Sequence, residues 1–321
     1  MRDILYLVIP CYNEEEVLHE TAKRLLEKMN TMITNRLISN NSKIFFVNDG
    51  SKDNTWSIIE EYHCKNDIFS GVNLSRNRGH QNALLAGLMT AKDYCDMAIS
   101  LDADLQDDVD VIDEFVKQYY DGCDIVYGVR SSRQTDKFFK RITAIAFYKF
   151  MHTLGVDMIF NHADYRLMSS RALESLNEYK EVNLFLRGMV TLIGYKYSIV
   201  EYERHERFAG ESKYPLKKMI AFALDGITSL SIKPIRIITV LGFTIFFVSI
   251  LALIYSLVVK FIGSTVTGWT SLTLSIWMLG GVQLLSLGII GEYVGKIYNE
   301  TKRRPRFIIS DKLINTDKKD N

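Results

Sequence analysis

The run Leu101-Asp102-Ala103-Asp104-Leu105-Gln106-Asp107-Asp108 sets two carboxylates two residues apart directly after an apolar stretch. In a continuing strand Asp102 and Asp104 would face opposite sides, but a turn lets both approach one ion. Carboxylate oxygens with the amide oxygen of Gln106 suit a hard cation, Mg²⁺ or Mn²⁺. Mg²⁺ keeps few protein ligands and completes its shell with water and phosphate, so a nucleoside diphosphate is its natural companion. An acidic run also suits a plain solvated loop; its place after a buried strand favours the metal. No GxGxxG follows the first strand and no GxxxxGK[ST] occurs anywhere, so dinucleotide and P-loop readings lose support.

The elements that must position these acids are legible as alternation. Apolar runs at 4–9 (ILYLVI), 43–47 (KIFFV), 71–74 (GVNL), 97–101 (MAISL) and 124–128 (DIVYG) read as strands. Between them lie amphipathic helices: one with Val17, Leu18, Ala22, Leu25, Leu26 and Met29 on one face, one opening near Asn54, and others around 82–91 and 109–120. Buried strands alternating with helices predict a parallel α/β sheet, whose ligands bind beyond the carboxyl ends of the strands. The polar clusters fall there: Tyr12-Asn13-Glu14, Asn48-Asp49-Gly50-Ser51, Arg76-Asn77 and Asp102-Ala103-Asp104.

The 321 residues suffice for about two domains at roughly 150 residues each. Net charge is +1, without the basic excess of a nucleic-acid binder, so that partner class is set aside. From Pro234 onward there are ten basic and five acidic residues, leaving the preceding part net acidic. The four cysteines (Cys11, Cys64, Cys95, Cys123) form no CxxC pair, which argues against a zinc site or disulfide scaffold. The N-terminus reads as a first strand rather than a secretory signal. His80, His152, His162 and His205 lack metal-ligand spacing and read as ordinary polar or core histidines. The aromatic stripe 138–150 reads as core or membrane-facing packing that could also cover an isoprenoid chain.

Residues 237–259 and 270–291 carry no charge, and each is long enough to span a bilayer as a helix. Lys217, Lys218, Lys233 and Arg236 flank one side of this hairpin, and Lys296, Lys302, Arg303, Arg304 and Arg306 the other. The positive-inside rule then puts both termini in the cytoplasm. Residues 214–234 read as a juxtamembrane amphipathic helix, and 296–321 as a basic cytoplasmic tail whose last dozen residues fray. Gly280, Gly281, Gly288 and Gly291 give the hairpin small faces that could pack against copies of itself.

VIPCYNEEEVL, FVNDGSKDNT, LSRNRGHQNALLAG, DADLQD, YGVRSSRQTD, DYRLMSSRAL and ERFAGESKY occur in this order. With them the chain resembles the family 2 glycosyltransferases of GT-A fold, and within these the polyprenyl-phosphate glycosyltransferases, which include bactoprenol glucosyltransferases and dolichol-phosphate mannose synthases. The resemblance covers residues 4–309 and extends to RPRFII after the second apolar stretch. It implies a GT-A domain over 1–213, followed by the transmembrane hairpin (235–295) of a multi-pass bacterial plasma-membrane protein with its catalytic domain in the cytoplasm. Asn48 stands where many relatives carry the first Asp of an Asp-Asp-Gly-Ser turn; Asp49 keeps the second.

Family roles, carried across by position, put Pro10, Tyr12, Glu14 and Asp49 at the donor's base and ribose. Asp102, Ala103 and Asp104 meet the donor, and Asp102, Asp104 and Gln106 hold the metal. Arg207 and Lys213 neutralise the diphosphate. Arg130, Arg133 and Arg141, with Lys140 nearby, meet the acceptor phosphate, where guanidinium pairs bidentately. Asp104 and Asp164 are placed at the reaction itself. The implied enzyme is an inverting hexosyltransferase moving one sugar from a nucleotide to undecaprenyl phosphate, with UDP-glucose the first choice and UDP-N-acetylglucosamine or GDP-mannose behind it. The acceptor phosphate is already largely dianionic at neutral pH, so Asp164 is read as orienting rather than as an obligatory base. A processive polysaccharide synthase would carry QxxRW, and no Trp here follows an Arg. A non-catalytic membrane partner would have lost the acid pair or the cations.

Overall fold

The structure, a computed structural model, describes residues 2–131, 153–154, 162–203, 226–229, 231–261 and 268–315. The chain divides into two compact units, one drawn from Met1–Tyr148, Asp157–Pro215 and Arg304–Asn321, the other from Lys149–Val156 and Leu216–Arg303.

In the first unit, β1 (Leu5–Cys11), α1 (Glu15–Thr34), β2 (Lys43–Asn48), α2 (Thr55–Lys65) and β3 (Phe69–Leu74) alternate as the sequence predicts. Then come α3 (His80–Ala91), β4 (Met97–Ser100), a 3₁₀ turn at Val109–Val111, α4 (Ile112–Tyr120) and β5 (Ile125–Arg130). Strands β1 and β2 are buried along their whole length, and their residues divide by period two between two cores. Leu5, Leu7, Ile9, Ile44 and Phe46 pack with Leu18, Leu25 and Met29 of α1. Tyr6, Val8, Phe45 and Val47 pack with Ala83, Leu84 and Leu88 of α3. A Cβ on Gly87 would lie 2.5 Å from side-chain atoms of Val47 and Val8, so the missing side chain lets α3 lie close on the sheet.

The strand order is β7-β5-β6-β4-β1-β2-β3-β8. It uses β6 (His162–Ser169) and β7 (Tyr197–Tyr202), with α5 (Ser170–Glu178) and α6 (Leu186–Leu192) between them, and β8 (Ile309–Leu313). Strands β4, β1, β2 and β3 run parallel, as do β5 and β7, whereas β6 is antiparallel to β4 and β5, and β8 to β3. The sheet is therefore mixed rather than parallel throughout. The chain winds from β1 to β3 in one direction, then crosses back to place β4 on the other side of β1. That reversal is a topological switch point, where the strand ends diverge and ligands bind. The C-terminal segment also departs from the expected frayed tail, because Ile309–Leu313 adds an antiparallel strand to the edge of β3. Phe307, Ile309 and Ile314 pack against the α3 core, burial that a short mixed-polarity segment reveals only once its partner strand is known.

The second unit contains two long helices, α7 (Lys233–Phe261) and α8 (Trp269–Lys302), which include the two charge-free stretches and run past them. Among the described residues, Met278–Lys302 is long and apolar enough to cross a membrane by length and composition. Phe243, Leu251, Leu284 and Leu287 are each more than 60% exposed, so both helices carry large apolar side chains on their surface. Within this unit the Tyr293 hydroxyl donates to the Ser231 carbonyl at 2.6 Å, and Lys296 Nζ to Ser229 Oγ at 3.0 Å.

Candidate active site

The acid pair leaves β4 at the switch point. Ala103 and Leu105 are buried, and the Ala103 carbonyl accepts from Thr21 Oγ1 at 2.7 Å. Leu105 sits at φ +55°, a left-handed conformation rare for a branched residue. This kink is the turn the sequence requires: it leaves Asp102 and Asp104 half-buried on either side of a buried Ala103. Asp104 Oδ1 accepts from the Gln106 amide N–H at 3.2 Å. Burial pushes the Asp102 carboxyl up; His80 opposes this, and the carboxylates of Asp107, Asp164 and Asp104 add to it. A site crowded with negative charge and hard oxygen donors fits a divalent cation. Among the described residues no three His, Cys, Asp or Glu side chains are grouped to hold a metal.

Antiparallel pairing of β4 with β6, register Ser100↔Arg166, carries Asp164 to the level of Asp102. Asp164 is ringed by cations. Arg166 Nη2 donates to it at 2.7 Å and Arg187 Nη2, from α6, at 3.0 Å, while His80 Nε2 lies 3.6 Å from both Asp164 and Asp102. Burial alone would raise the Asp164 carboxyl, but Arg187, His80 and Arg166 outweigh it and hold it well below the usual carboxylate range. His80 is exposed, and the carboxylates of Asp164 and Asp102 push it up to about 9. His80, read from the sequence as an ordinary polar or core histidine, opens α3 and lies between Asp102 and Asp164. Arg187 too carried no signal in the sequence beyond lying in a short apolar helix.

Arg130 is the last residue of β5, not a residue just beyond it. Its Nε donates to the Tyr202 hydroxyl at 3.2 Å, and its Nη2 lies 3.5 Å from Asp107 Oδ1. Tyr202 donates to the same Asp107 oxygen at 2.6 Å. Asp107, buried in the acidic run itself, thus fixes the guanidinium proposed for the acceptor phosphate. Arg133, Lys140, Arg141, Arg207 and Lys213 lie outside the described residues, as do His152, His205, the aromatic stripe 138–150 and most of 214–234.

On the other side of the switch point, Pro10 is buried in β1, Tyr12 is 40% exposed and Glu14 is half-buried. Asp49 is buried, its Oδ1 accepting from the Arg78 amide at 2.7 Å and its Oδ2 from the Gly79 amide at 2.9 Å. Asp49 therefore fixes the loop leading into α3, with one lone pair left on each oxygen. Gly50 has φ +61°, and a Cβ there would lie 2.6 Å from backbone atoms of Arg76 and Asn77. Gly50→Ala is expected to push these two loops apart, lowering the thermal midpoint by about 2–8 °C. It should also raise the KM for the nucleotide donor about tenfold while the acceptor KM stays within about twofold. Thermal unfolding and donor titration of the purified protein check this.

Sheet order, switch point and acid pair together define a GT-A glycosyltransferase fold. The model of "Glycosyl transferase family 2" matches residues 6–176. The chain belongs to this family and is a hexosyltransferase. An uncharacterized glycosyltransferase of Bacillus subtilis (strain 168), YkoT, is 54% identical over 312 residues, 97% of this chain and 93% of its own length. A prophage bactoprenol glucosyl transferase homolog of Escherichia coli (strain K12) is 39% identical over 308 residues, 94% of this chain and 97% of its own. Among solved structures, a mannosyltransferase of Pyrobaculum calidifontis, in complex with GDP-Man and Mn²⁺, superposes at TM-score 0.47 with 15% identity, covering 94% of this chain and 88% of that one.

Proposed function

We propose that this hexosyltransferase moves one sugar, glucose from UDP-glucose in the first instance, onto undecaprenyl phosphate at the cytoplasmic face of a bacterial plasma membrane. The observation that carries the reading is the carboxylate pair of the β4 turn set beside the cation-ringed Asp164, in a chain with a helix long enough to cross a bilayer. Relatives called bactoprenol glucosyl transferases, 38–39% identical over at least 94% of this chain, support the lipid acceptor. The two long helices would anchor the catalytic domain beside its lipid substrate, with both termini cytoplasmic.

Asp102, Asp104 and Gln106 would hold Mg²⁺ or Mn²⁺. Bound there, the cation supplies positive charge to the donor diphosphate as the nucleoside diphosphate departs. Tyr12 would stack on or beside the base, Glu14 would meet the ribose, and Asp49 would order the loop around them. Arg207 and Lys213 would add charge at the diphosphate, and Arg130, with Arg133 and Arg141, would hold the acceptor phosphate. That phosphate, largely dianionic at neutral pH, can attack the anomeric carbon without a protein base. Asp164, held ionised by its cations, is a poor base and a good anchor: its carboxylate fixes Arg187 and His80 next to the metal ligands. A single displacement inverts the anomeric centre.

A radiolabelled transfer assay tests this with purified protein in detergent, undecaprenyl phosphate, and Mn²⁺ or Mg²⁺. UDP-glucose, UDP-N-acetylglucosamine and GDP-mannose are compared. Label enters the lipid from one donor and transfer stops with EDTA. Folded protein that moves label from none of the three to verified lipid would overturn the donor and acceptor assignment.

A further inference from the structure

The strand contributed by the C-terminal segment ends in a chain of hydrogen bonds that reaches the loops proposed to hold the nucleoside. Antiparallel pairing sets Asp311 of β8 opposite Asn73 of β3. Asn73 Nδ2 donates to Asp311 Oδ2 at 3.0 Å, and Asn48 Nδ2 donates to Asn73 Oδ1 at 2.8 Å. Ser51 Oγ donates to Asn48 Oδ1 at 2.5 Å and accepts from the Asn13 backbone N–H at 3.0 Å. Asn13, at φ +55°, then accepts at Oδ1 from the Lys52 N–H at 2.9 Å. The chain therefore runs from β8 through two sheet strands to the Tyr12-Asn13-Glu14 and Asn48–Lys52 loops.

Its direction is set from both ends, by the Asp311 carboxylate and by the Ser51 backbone N–H, which also donates to Asn48 Oδ1 at 3.3 Å. An ionised carboxylate only accepts hydrogen bonds, so Asn73 must turn its NH₂ to Asp311 and its oxygen to Asn48. Asn48, 2% exposed, must then turn its own NH₂ to Asn73 and its oxygen to Ser51. Without Asp311 the Asn73 amide loses the acceptor that holds its NH₂, and Asn48 is held at one end only, by Ser51. An Asp at position 48 would instead set a second obligate acceptor against Asn73, which cannot give its NH₂ to both neighbours in this geometry. The Asn at this position is thus matched to the acid on β8. The same segment meets the Asp49 loop from a second side: the Ser75 N–H donates to the Ile308 carbonyl at 2.9 Å, and Arg78 Nη2 to the Pro305 carbonyl at 3.3 Å.

We propose that Asp311, on the strand that follows the second long helix, is a positioning residue for the nucleoside half of the donor site, acting through Asn73 and Asn48. The proposal rests on the reading above that Tyr12, Glu14 and Asp49 border the donor nucleoside. The segment after the helices is then part of the catalytic domain's binding machinery.

The full-length chain in detergent is compared as wild type, Asp311→Ala, Asp311→Asn, Asn48→Asp and Tyr12→Ala. Binding of UDP and of GDP with Mn²⁺ is measured by calorimetry, with hydrogen exchange followed in the ligand-free protein. Asp311→Ala and Asn48→Asp should weaken nucleotide binding by about five- to tenfold and speed amide exchange at residues 12–16 and 49–53. Acceptor KM should stay within about twofold of wild type. Asp311→Asn, which keeps an acceptor oxygen, should recover most of the affinity. Unchanged exchange and affinity in Asp311→Ala, where Tyr12→Ala does weaken binding, overturns the role of the strand alone. Failure of Tyr12→Ala to weaken binding, or of the wild type to bind either nucleotide, overturns the donor reading and the proposal with it. A uniform rise in exchange across β1–β3 in Asp311→Ala would show a merely structural strand.

Discussion

Asp104→Ala should lower kcat for transfer by about 10²–10³-fold while leaving the thermal midpoint within a few degrees of wild type. The asymmetry follows from where the side chain sits. Asp104 is half-buried on a turn whose shape is set by Ala103 and Leu105, both buried, and by Thr21, which donates to the Ala103 carbonyl. Removing the Asp104 carboxylate leaves those anchors in place, and the fold loses the acceptor for the Gln106 N–H. The reaction loses more. On the proposed function, charge that builds on a departing nucleoside diphosphate must be met by preorganised positive charge, and a metal site at Asp102 and Asp104 stripped of one of its two carboxylates would hold its ion weakly. Single-turnover label transfer across a Mn²⁺ titration measures this. Raising the metal should recover part of the rate in Asp104→Ala but none in wild-type protein held in excess EDTA. A variant turning over within about threefold of wild type at low metal would remove Asp104 from the mechanism.

The residues that were legible in the sequence share a local signal. Strands β1 to β5 are short apolar runs bounded by polar turns, so their place needed no knowledge of partners. Strand β6 was hidden because Arg166 lies within it, buried and charged, and only the pairing with Asp164 makes that tolerable. Strand β7 alternates, yet Tyr197 and Ile199 stand exposed, so its pattern names no core face. The β8 segment acquires its meaning from β3, far away in the chain. The acid pair was readable because spacing and position both spoke for it, whereas Asp107, in the same run, showed nothing of its hold on Arg130 and Tyr202. For His80 a faint signal existed: it follows Gly79 at the start of a helix, past the carboxyl end of a strand, which is where this fold binds ligands.

Asp164 is where stability and chemistry are most tightly joined, and its replacement should cost both. Arg166 is 1% exposed, and its Nε and Nη1 have no hydrogen-bond partner among the described residues. Its charge therefore depends on Asp164. Asp164→Ala leaves a buried guanidinium without a counter-ion, a loss of about 3–5 kcal/mol. Asp164→Asn keeps one acceptor oxygen but not the charge, and should fall between. Because the folded carboxyl lies below its unfolded value near 4, its stabilisation is full above that value and fades as pH falls through the folded one. Wild type should therefore lose this part of its stability only under acid, and Asp164→Asn should show a flatter acid limb in thermal unfolding. The double variant Asp164→Asn/Arg166→Met separates the two roles, since an apolar partner of similar length removes the stranded charge. Its thermal midpoint should return to within a few degrees of wild type, while transfer stays at least about 10²-fold down because Arg187 and His80 have lost the carboxylate that fixes them beside Asp102. Recovery of transfer along with the midpoint would reduce Asp164 to a structural counter-ion. A kcat profile with an acid limb that disappears in the double variant would instead make it a base.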